Sequence, residues 1–116
     1  MTEQEIADAK AVIGRDGIGC EPASATTVAG IKRMVVAGLI ASHETVVAIL
    51  TGHVLKDTDY AINYHRETLY THDGDASKSK EERRINSTYA NHAVRVKADK
   101  EAILNYLESR SSSTDL

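Results

Sequence analysis

Hydrophobic positions recur at helical spacing from the first residues of the chain. Thr2-Glu3-Gln4-Glu5 has the form of a capping box, in which Thr2 accepts the amide of Glu5 and Glu5 reaches back to Thr2. Ile6, Ala9 and Ile13 then share one face and Gly14 follows as a C-cap, so the pattern predicts a helix over residues 3–13. The run Gly14-Arg15-Asp16-Gly17-Ile18-Gly19 follows a helix rather than a strand, and its spacing is not that of a dinucleotide-binding loop. It reads as a turn into a short strand, Ile18–Cys20. Beyond Pro22, Ser24 is placed as the N-cap of a second helix, about residues 24–37, carrying Val28, Ile31, Val35 and Leu39. Apolar residues cover much of its circumference, which predicts burial on more than one side. Gly30 costs a helix interior about 1 kcal/mol relative to alanine, so its presence predicts close packing at that point.

Val46-Val47-Ala48-Ile49-Leu50 is continuously apolar and rich in β-branched residues, the signature of a strand covered on both faces. Asp57 then reads as the N-cap of a helix through Tyr60, Ala61 and Tyr64. Helix, strand and helix joined by short connections predict an α/β fold, a partial open sheet with flanking helices. From Arg66 to His92 the periodicity fails, and Asp73–Arg84 is polar with charges of both signs. Val94–Lys97 has the form of an edge strand, and Asp99 caps a final helix with Ile103, Tyr106 and Leu107. The chain thus divides into residues 1–65, a polar insertion or flexible loop over 66–92, a terminal strand and helix over 93–108, and a frayed tail over 109–116.

Composition narrows the function. A chain of 116 residues is one domain of ordinary size. With 14 Lys+Arg against 17 Asp+Glu and a net charge of −3, it has no electrostatic footprint for nucleic acid or an anionic membrane. The polar start carries no apolar signal core, and no apolar run is long enough to span a bilayer, so a cytoplasmic protein is expected. Five tyrosines are the only aromatic residues. A core resting on Val, Ile, Leu and Ala without large rings suggests that the chain packs against something else.

The histidines, His43, His53, His65, His72 and His92, stand in no recognised metal spacing, and a single cysteine excludes a zinc framework. Cys20 would need His53 or His65 as a base to act as a nucleophile; as a small buried hydrophobe it needs nothing. Two segments suit chemistry better. Gly19-Cys20-Glu21-Pro22-Ala23-Ser24-Ala25 turns sharply from a strand end into a helix, and Leu50-Thr51-Gly52-His53 closes the apolar strand with a hydroxyl and a glycine. Ligands of open α/β sheets lie at the carboxyl ends of strands, where both segments sit. A hydroxyl there can hydrogen-bond a heteroaromatic nitrogen, and glycine lets a ring approach the backbone.

The stretch from about Ile6 to His65, with EPASA at Glu21–Ala25 and ETVVAILTGHVLKD at Glu44–Asp57, resembles the C-terminal part of threonine synthase, a fold-type-II pyridoxal-phosphate enzyme. The resemblance implies pyridoxal 5'-phosphate as cofactor, Thr51 as the partner of its pyridine nitrogen, Gly52 as the residue admitting the ring, and Glu21 at the pocket wall. It implies the conversion of O-phosphohomoserine and water to threonine and phosphate in a complete enzyme. Ser24 reads as a cap, and Lys56 and Asp57 as a helix start. Val54 stands where the family usually has glycine, which would tighten or re-aim the loop. Lys10, Lys32 and Lys56 match no Schiff-base lysine motif, and nothing resembles the loop that holds the cofactor phosphate. The chain therefore reads as a fragment, inactive alone, whose partner is the missing N-terminal portion of the enzyme or another copy of itself. The alternatives are a non-catalytic assembly or regulatory module derived from the same fold, or a fragment of a threonine dehydratase-like lyase.

Overall fold

A computed structural model describes residues 1–71 and 77–111. The elements in order are α1 (Glu3–Arg15), α2 (Pro22–Val36), α3 (Thr58–His65), a single 3-10 turn (Glu81–Arg83) and α4 (Lys100–Ser111). The α1 capping box forms as its sequence predicts: Glu5 N–H donates to Thr2 Oγ1 at 3.2 Å, and Thr2 N–H donates to Glu5 Oε2 at 2.6 Å. Two orphan amides are satisfied reciprocally, which fixes the helix start.

Helix α1 is the hub because it is apolar on two faces. Ala7 and Ala11 lie one turn apart and pack with Tyr64, Leu69 and Ile85, while Tyr60 closes that cluster. On the other face Ile13 joins Cys20 and Ala25, with Ile6, Ala9, Val28 and Leu50 against them. Small side chains at Ala7, Ala11, Ala25 and Ala29 let the neighbouring segments approach closely.

The expected open sheet does not form among the described residues. Val46–Leu50 makes no ladder, Ile18–Cys20 and Val94–Lys97 are irregular, and the one bridge joins Tyr70 to Arg84. A continuous apolar strand needs a neighbour on each edge and cover on each face, and these residues supply neither. Val47 and Ile49 accordingly stand 82% and 73% exposed. Helix α2 is likewise buried on one side only: Met34, Val35 and Val36 face outward, and the space beside Gly30 is open rather than packed.

The segment expected as a polar insertion departs from that reading in its described parts. Leu69 and Ile85 enter the core, and Gln4 exchanges two 2.8 Å hydrogen bonds with the Asn86 backbone. The buried Tyr64 donates to Asp8 Oδ1 at 2.7 Å and accepts the Tyr89 amide at 3.1 Å, binding residues 87–89 to the helices. Periodicity misses these anchors because each is a single residue in an irregular segment. His72 and the Asp73–Ala76 part of the polar run lie outside the described residues, as does the tail beyond Ser111. Asp57 occupies the N-cap position of α3 in the left-handed region, at φ 59°, without a side-chain cap bond. Asp99 does cap α4, accepting the Ala102 amide at 3.1 Å, but α4 buries none of its residues.

The accessible surface is 8928 Å². A self-contained monomer of this mass exposes about 6,200 Å², so roughly 2,700 Å² is in excess. The radius of gyration, 17.7 Å, agrees, against about 13 Å for a closed domain of this length.

One anchor gives the fold a pH dependence. Burial, with the nearby His92 and Lys10, holds the His65 imidazole below its ordinary value of 6.5, and its Nδ1 accepts the Asn91 amide at 3.0 Å. On acidification the unfolded chain therefore binds the proton first. This contribution to stability is present above the unfolded value and is lost as the pH falls through the lower folded one. NMR titration should place His65 below 6.5, and the denaturation midpoint should fall less steeply on acidification in His65→Gln. An ordinary titration would remove the effect.

Candidate functional site

The segments from Cys20 to Ser24 and from Leu50 to Lys56 meet at the start of α2. Pro22 opens the helix at N1, where its missing N–H leaves nothing unpaired. This puts Glu21 at the N-cap and Ser24 inside the first turn, so Ser24 is not the cap. Its hydroxyl instead takes two loop amides: Thr51 N–H donates to Ser24 Oγ at 3.2 Å and Gly52 N–H at 3.1 Å. Ser24 Oγ and Thr51 Oγ1 also lie 3.3 Å apart. In return, Glu21 N–H donates to the Gly52 carbonyl at 3.2 Å. Ser24 is buried and Thr51 exposed, so the junction has a closed side and an open side.

Glu21 runs across Gly52. A Cβ added at residue 52 would lie 2.1–2.3 Å from Glu21 Cδ, Cγ and Oε1, so the space freed by this glycine is filled by the carboxylate arm rather than left open for a ring as the resemblance implied. Beyond it, Glu21 Oε2 meets Lys56 Nζ at 2.5 Å, and this contact raises the Lys56 pKa above its ordinary value. Lys56 is thus the partner of Glu21, a role that a helix-start reading misses. His53 is exposed and bonds within its own loop: its Nδ1 accepts the Leu55 amide at 3.1 Å.

Beneath the junction Lys10 is buried, and its Nζ donates to the Cys20 carbonyl at 2.7 Å. Burial pushes the Cys20 thiol up against the opposing pull of Lys10. The Nδ1 atoms of both candidate bases accept backbone amides elsewhere, so Cys20 is a packing group. Among the described residues no three His, Cys, Asp or Glu side chains converge to hold a metal ion.

Glu21, Ser24, Thr51, Gly52 and Lys56 therefore form one cluster. The matching stretches occur in known proteins. The chain is 43% identical over 70 residues to threonine synthase of Methanocaldococcus jannaschii, covering 60% of this chain and 17% of that protein. It is 47% identical over 68 residues to threonine synthase of Methanosarcina acetivorans, covering 58% of this chain and 17% of that protein. It is 34% identical over 82 residues to threonine synthase of Bacillus sp. strain ULM1, covering 70% of this chain and 23% of that protein. This chain is similar to a segment of threonine synthase. It spans about a fifth of the length of these relatives. No protein-family model matches it.

Val54 packs against the backbone of Gly19. A Cβ at Gly19 would lie 2.3 Å from Val54 Cβ and 2.5 Å from Cγ2, so the valine occupies the side that glycine leaves open. Val54 is β-branched and cannot swing aside at χ1 without cost. Gly19→Ala should destabilise the chain by about 1–3 kcal/mol. Adding Val54→Gly should restore most of that loss. Denaturant unfolding of the two single variants and the double variant gives the coupling, and additive losses would show that the contact is not what limits residue 19.

Proposed function

We propose that this chain supplies the ring-nitrogen end of the cofactor site in a threonine-synthase-type enzyme, whose remaining parts come from polypeptide outside these 116 residues or from a second copy. The observation that carries the reading is Thr51, an exposed residue whose backbone is fixed beside Gly52 by Ser24 within a stretch similar to threonine synthase. The reaction is the conversion of O-phosphohomoserine and water to threonine and phosphate.

The residues fit pyridoxal phosphate at one end only. Thr51 carries a neutral hydroxyl, which suits an aromatic nitrogen that accepts a hydrogen bond. The lysines at the junction are engaged: Lys10 donates to the Cys20 carbonyl and Lys56 pairs with Glu21. The reactive amine and the phosphate-binding groups are then contributed from elsewhere. When bound, the cofactor supplies an electron sink for carbanion chemistry. This chain's part is to hold the ring: Thr51 donates to its nitrogen without protonating it, Ser24 fixes the Thr51 backbone, and Glu21 and Lys56 brace Gly52 from one side.

The surplus surface supports a partner of protein size. Roughly 2,700 Å² on one side is what a large, obligate interface buries. Its exposed members include Val36, Leu39, Val47, Ile49 and Leu55, an apolar set suited to the interior of a larger sheet. Among the described residues no helix is long and apolar enough to cross a membrane.

The test is complementation. Threonine synthase of Methanosarcina acetivorans, lacking the segment similar to this chain, should bind this chain. The pair should regain the cofactor's visible absorbance and release phosphate from O-phosphohomoserine. In that assembly Thr51→Val should alter the cofactor spectrum and slow turnover about tenfold, the scale of one lost hydrogen bond. Failure to associate, or an unchanged spectrum and rate in Thr51→Val, would overturn the reading.

A further inference from the structure

We infer that Ser24 is a positioning residue that sets the direction of the Thr51 hydroxyl proton, so that the site presents a donor and selects an unprotonated heteroaromatic nitrogen. A serine hydroxyl has one proton and two lone pairs. At Ser24 two amide donors, from Thr51 and Gly52, approach Oγ at 3.2 and 3.1 Å and take both lone pairs. The remaining contact, 3.3 Å to Thr51 Oγ1, is then carried by the Ser24 proton. Ser24 donates and Thr51 accepts.

The consequence falls on Thr51. Its oxygen accepts from Ser24 and keeps its own proton free for a second acceptor, and Thr51 itself is an exposed residue. Accepting a hydrogen bond polarises a hydroxyl and makes it a stronger donor, so the two backbone amides act through Ser24 on the atom that faces the ligand. A protonated ring nitrogen would meet this proton head-on, whereas a neutral one accepts it. Alanine at position 24 would leave the Thr51 and Gly52 amides without their acceptor and the Thr51 hydroxyl free to turn. Threonine at position 24 would retain the oxygen and the arrangement.

The ligand part of this inference rests on the reading of Thr51 given above, but the proton direction does not, and the two are tested separately. In the full chain without cofactor, NMR should show the Ser24 hydroxyl proton exchanging slowly and lying against the Thr51 side chain, with the Thr51 hydroxyl proton exchanging fast. In Ser24→Ala the Thr51 and Gly52 amides should exchange about tenfold faster, and Ser24→Thr should restore protection. A slow proton on Thr51 pointing at Ser24 overturns the inference, and that measurement needs no variant. In the complemented assembly, isotope-labelled pyridoxal phosphate reports the state of its ring nitrogen. Wild type should show a hydrogen-bonded, unprotonated nitrogen, and Ser24→Ala should move its shift toward that of the free cofactor. If Thr51→Val leaves the shift unmoved, the reading of Thr51 fails and the proton direction stands. If Thr51→Val moves it and Ser24→Ala does not, the positioning role fails.

Discussion

The tie between Ser24 and the backbone of Thr51 and Gly52 is the constraint on which the local architecture depends. It joins residues 27 and 28 positions apart through one buried oxygen. With the loop held there, Gly52 offers its carbonyl to Glu21, the Glu21 arm crosses Gly52 to Lys56, and Leu50 is drawn against Ile13, Cys20 and Ala25. Each of these contacts is modest alone. Together they fix an exposed residue, Thr51, to a helix start, which is a more rigid support than a free loop provides.

The rest of the molecule is organised around α1 rather than around a sheet. Its two alanine-lined faces gather two small clusters, and neither is large. Val46–Leu50 carries the composition of a central strand but finds no strand to pair with among the described residues. Exposed apolar side chains such as Val47 and Ile49, and a helix α4 that buries none of its residues, contribute to the surface excess. Composition already points this way, since a core without phenylalanine or tryptophan has little area to bury per residue.

What was legible in the sequence was local. The Thr2–Glu5 box, the helix that follows it, the Asp99 cap and the buried character of Cys20 each depend on neighbours in sequence or on residue type alone. The sheet was misread because a strand's existence depends on partners that periodicity does not contain. Ser24 was misread for a related reason: serine near a helix start suits a cap, but Pro22 moved the cap back to Glu21 and freed the hydroxyl for a loop distant in sequence. Glu21, Thr51 and Gly52 were singled out by resemblance, and the structure brings them together. Lys56 joins them through an ion pair that no spacing rule announces. Leu69, Ile85 and Asn86 escaped notice because single anchors in a polar stretch carry no period.

The fit of Val54 into the space left by Gly19 makes these two positions one steric unit. A side chain can stand on either side of the gap, but both cannot be filled at once. Drift at one position therefore changes what is permitted at the other, although the two lie 35 positions apart in sequence. Recombination that joined Val54 to an upstream segment carrying a side chain at position 19 would bring mismatched halves of that unit together. The descendants of such an exchange would begin with a clash that neither parent carried.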